Sequence, residues 1–143
     1  MVIIGRCHCG NISFALTWQP DPEVIPARVC SCSFCVKHGG VWTSNADAGL
    51  VIRVEDESQV MRYGFGTRTA DFHVCARCGV VPVVTSLIEG QVYAVVNVNT
   101  FEGVDASLLQ RTPASFEGEG EGSRLGRRKR SWIARVEFKQ ALP

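Results

Sequence analysis

Cys30-Ser31-Cys32-Ser33-Phe34-Cys35 places three thiols within six residues, with Lys37, His38 and the pair Gly39-Gly40 close behind. No simple packing requirement accounts for so many thiols in so short a span. Thiolates this close in sequence can converge on a soft cation. A Zn²⁺ held by three cysteines keeps a fourth position open, which is what zinc chemistry needs. The competing arrangement is a closed Cys₃His site, because a histidine three residues after Cys35 is within reach of the same ion, with His38 as fourth ligand.

Four further cysteines complete a total of seven among 143 residues. An odd number leaves one thiol over from any closed disulfide framework. Met1-Val2-Ile3-Ile4-Gly5 is too short for a signal peptide, and no apolar run approaches the ~18–20 residues of a membrane span. A cytoplasmic location is the default, and a reducing cytosol favours metal ligation over disulfides. The formal net charge of +1 supplies no global field for nucleic acid or a membrane surface. The length suits one domain, expected over 1–143, that gains from metal staples.

The remaining cysteines pair by their glycines. Cys75-Ala76-Arg77-Cys78-Gly79 reads as a zinc knuckle, since two intervening residues let both sulfurs reach one tetrahedral ion and the glycine relaxes the backbone beside them. Cys7-His8-Cys9-Gly10 is the other cysteine pair followed by glycine. Cys7, Cys9, Cys75 and Cys78 are therefore assigned to one closed structural site that ties the start of the chain to its middle. A redox reading of Cys75 and Cys78 would require a helix N-terminus to acidify a thiol, and the flanks read as strands.

Those flanks set a mainly β architecture of many short strands. Ile12, Phe14, Leu16 and Trp18 alternate, giving a strand with one buried face. Residues 24–29 form an edge or irregular segment because of Pro26. Residues 41–44 and 50–54 read as strands, and 55–58 as a polar turn. Residues 60–63 and 67–74 form a hairpin about Gly64-Phe65-Gly66, with His73 on its wet face. Residues 80–88 and 91–98 form a second hairpin rich in β-branched side chains. Residues 100–110 hold a helical turn near Leu108, and 114–122 form a flexible loop. Arg124, Arg127, Arg128, Lys129 and Arg130 then form a basic cluster, read as a solvated helix face balanced by Glu117, Glu119 and Glu121. Trp132, Ala134, Val136 and Phe138 alternate in a last strand.

Taken in order, Cys-His-Cys-Gly, then Cys-x-Cys-Ser-x-Cys, then Cys-x-x-Cys-Gly ahead of a hairpin resembles the glutathione-dependent formaldehyde-activating enzyme family and the related domain of centromere protein V. The resemblance spans roughly residues 5–100. It implies an Mss4-like fold of coiled β-sheets. It also implies a structural zinc on Cys7, Cys9, Cys75 and Cys78, and a catalytic, labile zinc on Cys30, Cys32 and Cys35. The activity implied is that of a carbon–sulfur lyase joining the glutathione thiol to formaldehyde. Ser31 departs from the family, many of whose members carry histidine between the first two cysteines of the triplet.

On this reading the partners are a small thiol and a small aldehyde, not nucleic acid or a membrane. A thiol arriving at a tris-thiolate zinc loses its proton, so negative charge accumulates and cations are needed nearby. Lys37 and His38 are the adjacent candidates, with His38 also placed to protonate the adduct oxygen. Trp42 either walls the pocket or fills the core. His8, between two ligands, points outward. The alternative is a non-catalytic module in which zinc only stabilises a protein-binding surface.

Overall fold

A computed structural model describes residues 1–140, Gln140 by its backbone alone. Residues 141–143 of the domain expected over 1–143 lie outside the described residues. The chain is mainly β, in two sheets. In the first, β1 (Val2–Arg6), β2 (Ile12–Thr17) and β5 (Gly49–Val54) run antiparallel in sequence across the sheet. The two-residue β10 (Phe101–Glu102) closes one edge and β12 (Arg135–Gln140), parallel to β5, the other. The alternation read in β2 holds: Ile12, Phe14 and Leu16 are buried and face the shared core.

The second sheet has seven strands in the order β11 (Leu109–Ala114), β3 (Ile25–Cys30), β4 (Val41–Thr43), β9 (Gln91–Asn97), β8 (Val83–Ile88), β7 (Asp71–Cys75) and β6 (Val60–Tyr63). Its central strands are covered on both faces, as their near-continuous apolar run requires. Val83, Ala94 and Val96 face the core shared with the first sheet, and Val84, Tyr93 and Val95 face a second apolar cluster. The period of two sorts them, with Val83 opposite Val96 and Val84 opposite Val95. That second cluster also holds Cys35, Trp42 and Trp132, and it is the floor on which the site is built.

Several local expectations change. Segment 24–29 sits inside the sheet, between β11 and β4, rather than at an edge. Proline is tolerated there because β4 pairs only with Arg28 and Val29, so that ladder ends before Pro26. The connection of β6 to β7 spans 64–70, longer than the hairpin turn read at 64–66. His73 is buried, not on a wet face: its Nε2 lies 2.7 Å from Thr85 Oγ1, because β8 pairs alongside and covers it. Burial holds its pKa down at about 4. The helical turn near Leu108 is a 3₁₀ turn at Ala106–Leu108 that leads into β11.

The basic cluster lies on α2 (Glu121–Ser131). The last strand begins after Trp132, and its expected alternation breaks there. Ile133 is buried beside Trp132, exchanging backbone hydrogen bonds with Ala94 at 3.0 and 2.9 Å. Segment 114–122 is not a free loop. Arg127 donates to both carboxylate oxygens of Glu119, at 3.0 and 3.1 Å, and its guanidinium stacks 3.8 Å over Phe116. Among the described residues no helix is long and apolar enough to cross a membrane.

Candidate active site

Both cysteine groups assemble as the spacing required. The sulfurs of Cys7, Cys9, Cys75 and Cys78 lie within 4.8 Å of one another, and so do those of Cys30, Cys32 and Cys35. In the first group two turns of matching form meet. The amide of Cys7 donates to Ile12 O and that of Cys75 to Val80 O, while Gly10 N returns to Cys7 O and Gly79 N to Cys75 O. Gly10 and Gly79 have φ of 86° and 80°, a left-handed backbone that a Cβ disfavours. The Cys7–Cys9 and Cys9–Cys75 sulfur separations are 3.8 and 3.5 Å. Tetrahedral zinc with bonds near 2.3 Å places its sulfurs about 3.8 Å apart, so the four donors fit that ion. His8 is exposed, as expected.

The triplet spans the end of β3 and the start of α1 (Ser33–His38). Cys30 ends the strand. Cys32 is the helix N-cap, its sulfur accepting from the Cys35 amide at 3.4 Å. Cys35 is buried in the first turn and accepts from the Trp42 indole N–H at 3.4 Å. Gly40 allows that contact: a Cβ there would stand 2.7 Å from the Trp42 ring. Three sulfurs with N–H donors on two of them suit a thiolate-bound cation. The hydrogen bond from Cys35 holds the Cys30 thiol down at about 5, with the charge of Arg127 adding to the effect, and pushes Cys35 itself upward.

The triplet opens into a cleft of about 450 Å³. Trp42, Phe65, Phe72 and Trp132 supply apolar walls, and Trp42 serves both as wall and as part of the second apolar cluster. Arg28, Arg124, Arg127 and Arg128 also line it. Lys37 and His38 do not. On a helix of 3.6 residues per turn, Lys37 stands about 200° round from Cys35. Both residues border a separate hollow with Cys78, Asn97 and Asn99. His38 stacks on Phe34 with ring centroids 5.3 Å apart, and its buried Nδ1 makes no hydrogen bond. Its ring nitrogens do not join the three converging sulfurs.

The cations expected of Lys37 and His38 are supplied instead by arginines that the sequence reading left out of the site. Arg28 was read only as part of an edge or irregular segment, and Arg124, Arg127 and Arg128 as a solvated face. A signal was present in the helix: spacings of three and four residues put Arg124, Arg127 and Arg128 on one side, with Leu125 and Trp132 as its apolar neighbours. Arg128 is 6% exposed, and burial lowers its pKa to about 10, with Arg127 and Arg124 adding repulsion.

A model of the family described as glutathione-dependent formaldehyde-activating enzyme matches residues 2–115. The chain belongs to that family. Its match covers both cysteine groups and ends before α2, and the family's Mss4-like fold agrees with the two sheets and paired knuckles. A crystal structure of a Rhodobacter sphaeroides protein is similar to the chain, with 28% identity and a TM-score of 0.52, over 76% of this chain and 99% of that one. No curated protein matches. Family membership associates the chain with formaldehyde activation and with glutathione, and either cysteine group could hold a metal ion.

Proposed function

We propose that this protein joins a small thiol, glutathione or a close relative, to a small aldehyde such as formaldehyde, as a zinc-dependent enzyme of the carbon–sulfur lyase type. The observation that carries the reading is the convergence of Cys30, Cys32 and Cys35 at a cleft large enough for a tripeptide-sized ligand. Cys7, Cys9, Cys75 and Cys78 would hold a structural zinc, and the triplet a second, exchangeable one. A zinc ion at the triplet would favour the deprotonated form of an arriving thiol and polarise a carbonyl.

The chain's own contribution is placement. Trp42 fixes Cys35, and the Cys35 amide fixes Cys32, so the triplet does not have to reorganise when a ligand enters. The aromatic walls exclude water from the thiol, and the arginines offset the negative charge that gathers with it. In the reaction one carbon–sulfur bond forms, the carbonyl π bond is spent, the thiol proton passes to water and the former carbonyl oxygen takes one up. Nothing leaves. That oxygen is basic enough as an alkoxide to take its proton from water, so the acid role expected of His38 is not required.

The test is the exchange rate between free ¹³C-formaldehyde and its glutathione adduct, followed by NMR with and without zinc-loaded protein. Acceleration that Cys32→Ser abolishes, in a variant that keeps its fold, supports the proposal. An exchange rate equal to that of buffer would leave the zinc-stabilised binding module as the better reading.

A further inference from the structure

The cleft above the triplet has a wall that the family match does not reach. Arg28 projects from β3, whereas Arg124, Arg127 and Arg128 come from α2, which begins at Glu121, beyond residue 115. Two of these cations already face a carboxylate, although Arg124 Nε makes no hydrogen bond. Arg127 is paired with Glu119 through two hydrogen bonds, and Arg124 Nε stands 3.3 Å from the same carboxylate.

The other two do not. Arg128 donates through Nη1 to Thr69 O, Thr69 Oγ1 and Ser86 Oγ, at 3.2, 2.9 and 3.1 Å, and lies 4.8 Å over the Trp132 ring. Its Nε is buried without a partner. Arg28 donates through Nη2 to Ser44 Oγ at 2.8 Å. Among the described residues neither guanidinium pairs with a carboxylate. A buried cation with an unused donor is costly unless an anion completes it. Of the carboxylates near the cleft, Glu119 is engaged and Glu117 is exposed. Apart from the cysteines, four guanidiniums face these two carboxylates, and the excess positive charge is shared between the thiolate site below and any anion that enters the cleft.

We propose that Arg28 and Arg128 are the specificity-determining residues of this cleft, and that its ligand is a thiol carrying anionic groups of its own, as carboxylates or a phosphate. The proposal rests on the reading of the cleft as the thiol site. The planar fork of a guanidinium matches either anion through paired hydrogen bonds. The aromatic walls lie beside the arginines and the sulfurs lie below, so one molecule can meet all three kinds of group. A neutral thiol or formaldehyde by itself uses none of the arginines.

A purely structural role for Arg128, as a tether from α2 to Thr69 and Ser86, predicts no ligand preference, and this separates the two accounts. Zinc-loaded protein is titrated by calorimetry with glutathione, glutathione diethyl ester, 4′-phosphopantetheine, 2-mercaptoethanol and S-methylglutathione. Glutathione or phosphopantetheine is expected to bind about 10- to 100-fold more tightly than the ester or mercaptoethanol, the factor of a lost charge-assisted pair. The tighter of the two identifies carboxylate or phosphate as the anion. Arg28→Gln should narrow that preference to within about threefold. Arg128→Lys, which keeps a charge and a donor for Ser86, should narrow it too while the melting temperature holds. Lys129→Gln, an exposed residue paired with Glu89 outside the cleft, should leave it intact. Equal affinity for glutathione and its diester, or a preference indifferent to Arg28→Gln, overturns the proposal. If S-methylglutathione binds through Arg28 while no thiol alters the zinc coordination shell, the anion site stands and the thiol chemistry falls.

Discussion

Trp42 donates its indole N–H to the sulfur of Cys35 across 3.4 Å, and Gly40, two residues earlier, leaves the space in which the ring lies. The contact joins the apolar cluster under the second sheet to the reactive end of the triplet. Trp42→Phe keeps the ring packing and removes the donor. It should cost about 1 kcal/mol of stability and speed zinc release from the triplet, read with a chromogenic chelator. Gly40→Ala forces the ring aside and should cost about 1–3 kcal/mol, an overpacking penalty. Equal zinc release from wild type and Trp42→Phe would show that the N–H does not matter to the site.

The four-cysteine group should decide whether the chain folds. A structural zinc contributes about 10–16 kcal/mol in small domains, as much as the whole stability of a typical one. Cys7→Ser or Cys75→Ser should therefore give insoluble or unfolded protein, judged by circular dichroism, and Cys32→Ser should not. A cooperative melt from Cys75→Ser with two zincs still bound would overturn the division of the cysteines into four and three.

How much of this was legible beforehand follows from the range of each signal. The cysteine groups were readable because their ligands come in short runs whose spacing is itself the geometry. Strand β2 was readable because a period of two survives in it, and β8 and β9 because they are rich in β-branched residues. The position of His73 was not, since its burial is conferred by β8, a neighbour ten residues away in sequence. Lys37 and His38 were drawn into the site by adjacency alone; two residues of helix turn Lys37 to the other side, and His38 stacks on Phe34 at a separate hollow. Arg128 looked like one charge in a solvated run. What buries it is Thr69 and Ser86, far away in the chain, and no local pattern announces such partners.

The two metal sites should differ in lability. Three cysteines leave an ion with an exchangeable position, whereas four close it. On graded chelation one equivalent of zinc should leave early with the fold intact, and the second only as the protein unfolds. This is followed by metal release and far-ultraviolet circular dichroism in the same sample. Loss of both ions in one step, together with the fold, would count against an open triplet.

The clamp between Glu119 and α2 should be visible in acid. The hydrogen bond from Arg127, and the charges of Arg127 and Arg124, hold the Glu119 carboxyl below its ordinary value of 4.5. A carboxyl depressed in the fold adds stability that is fully present above its unfolded value and lost as pH falls through the folded one. Glu119→Gln should therefore cost up to about 1 kcal/mol near neutral pH, the range of a surface-accessible ion pair, and progressively less below pH 4.5. Chemical denaturation of wild type and variant at matched pH measures the difference, and zinc loss in acid cancels because both proteins share it. The same carboxylate restrains Arg124 and Arg127 beside the cleft, so the variant should also bind glutathione more tightly by freeing two cations. A stability difference that does not change between pH 7 and pH 4 would mean that packing of segment 115–120, and not the charge on Glu119, holds this wall in place.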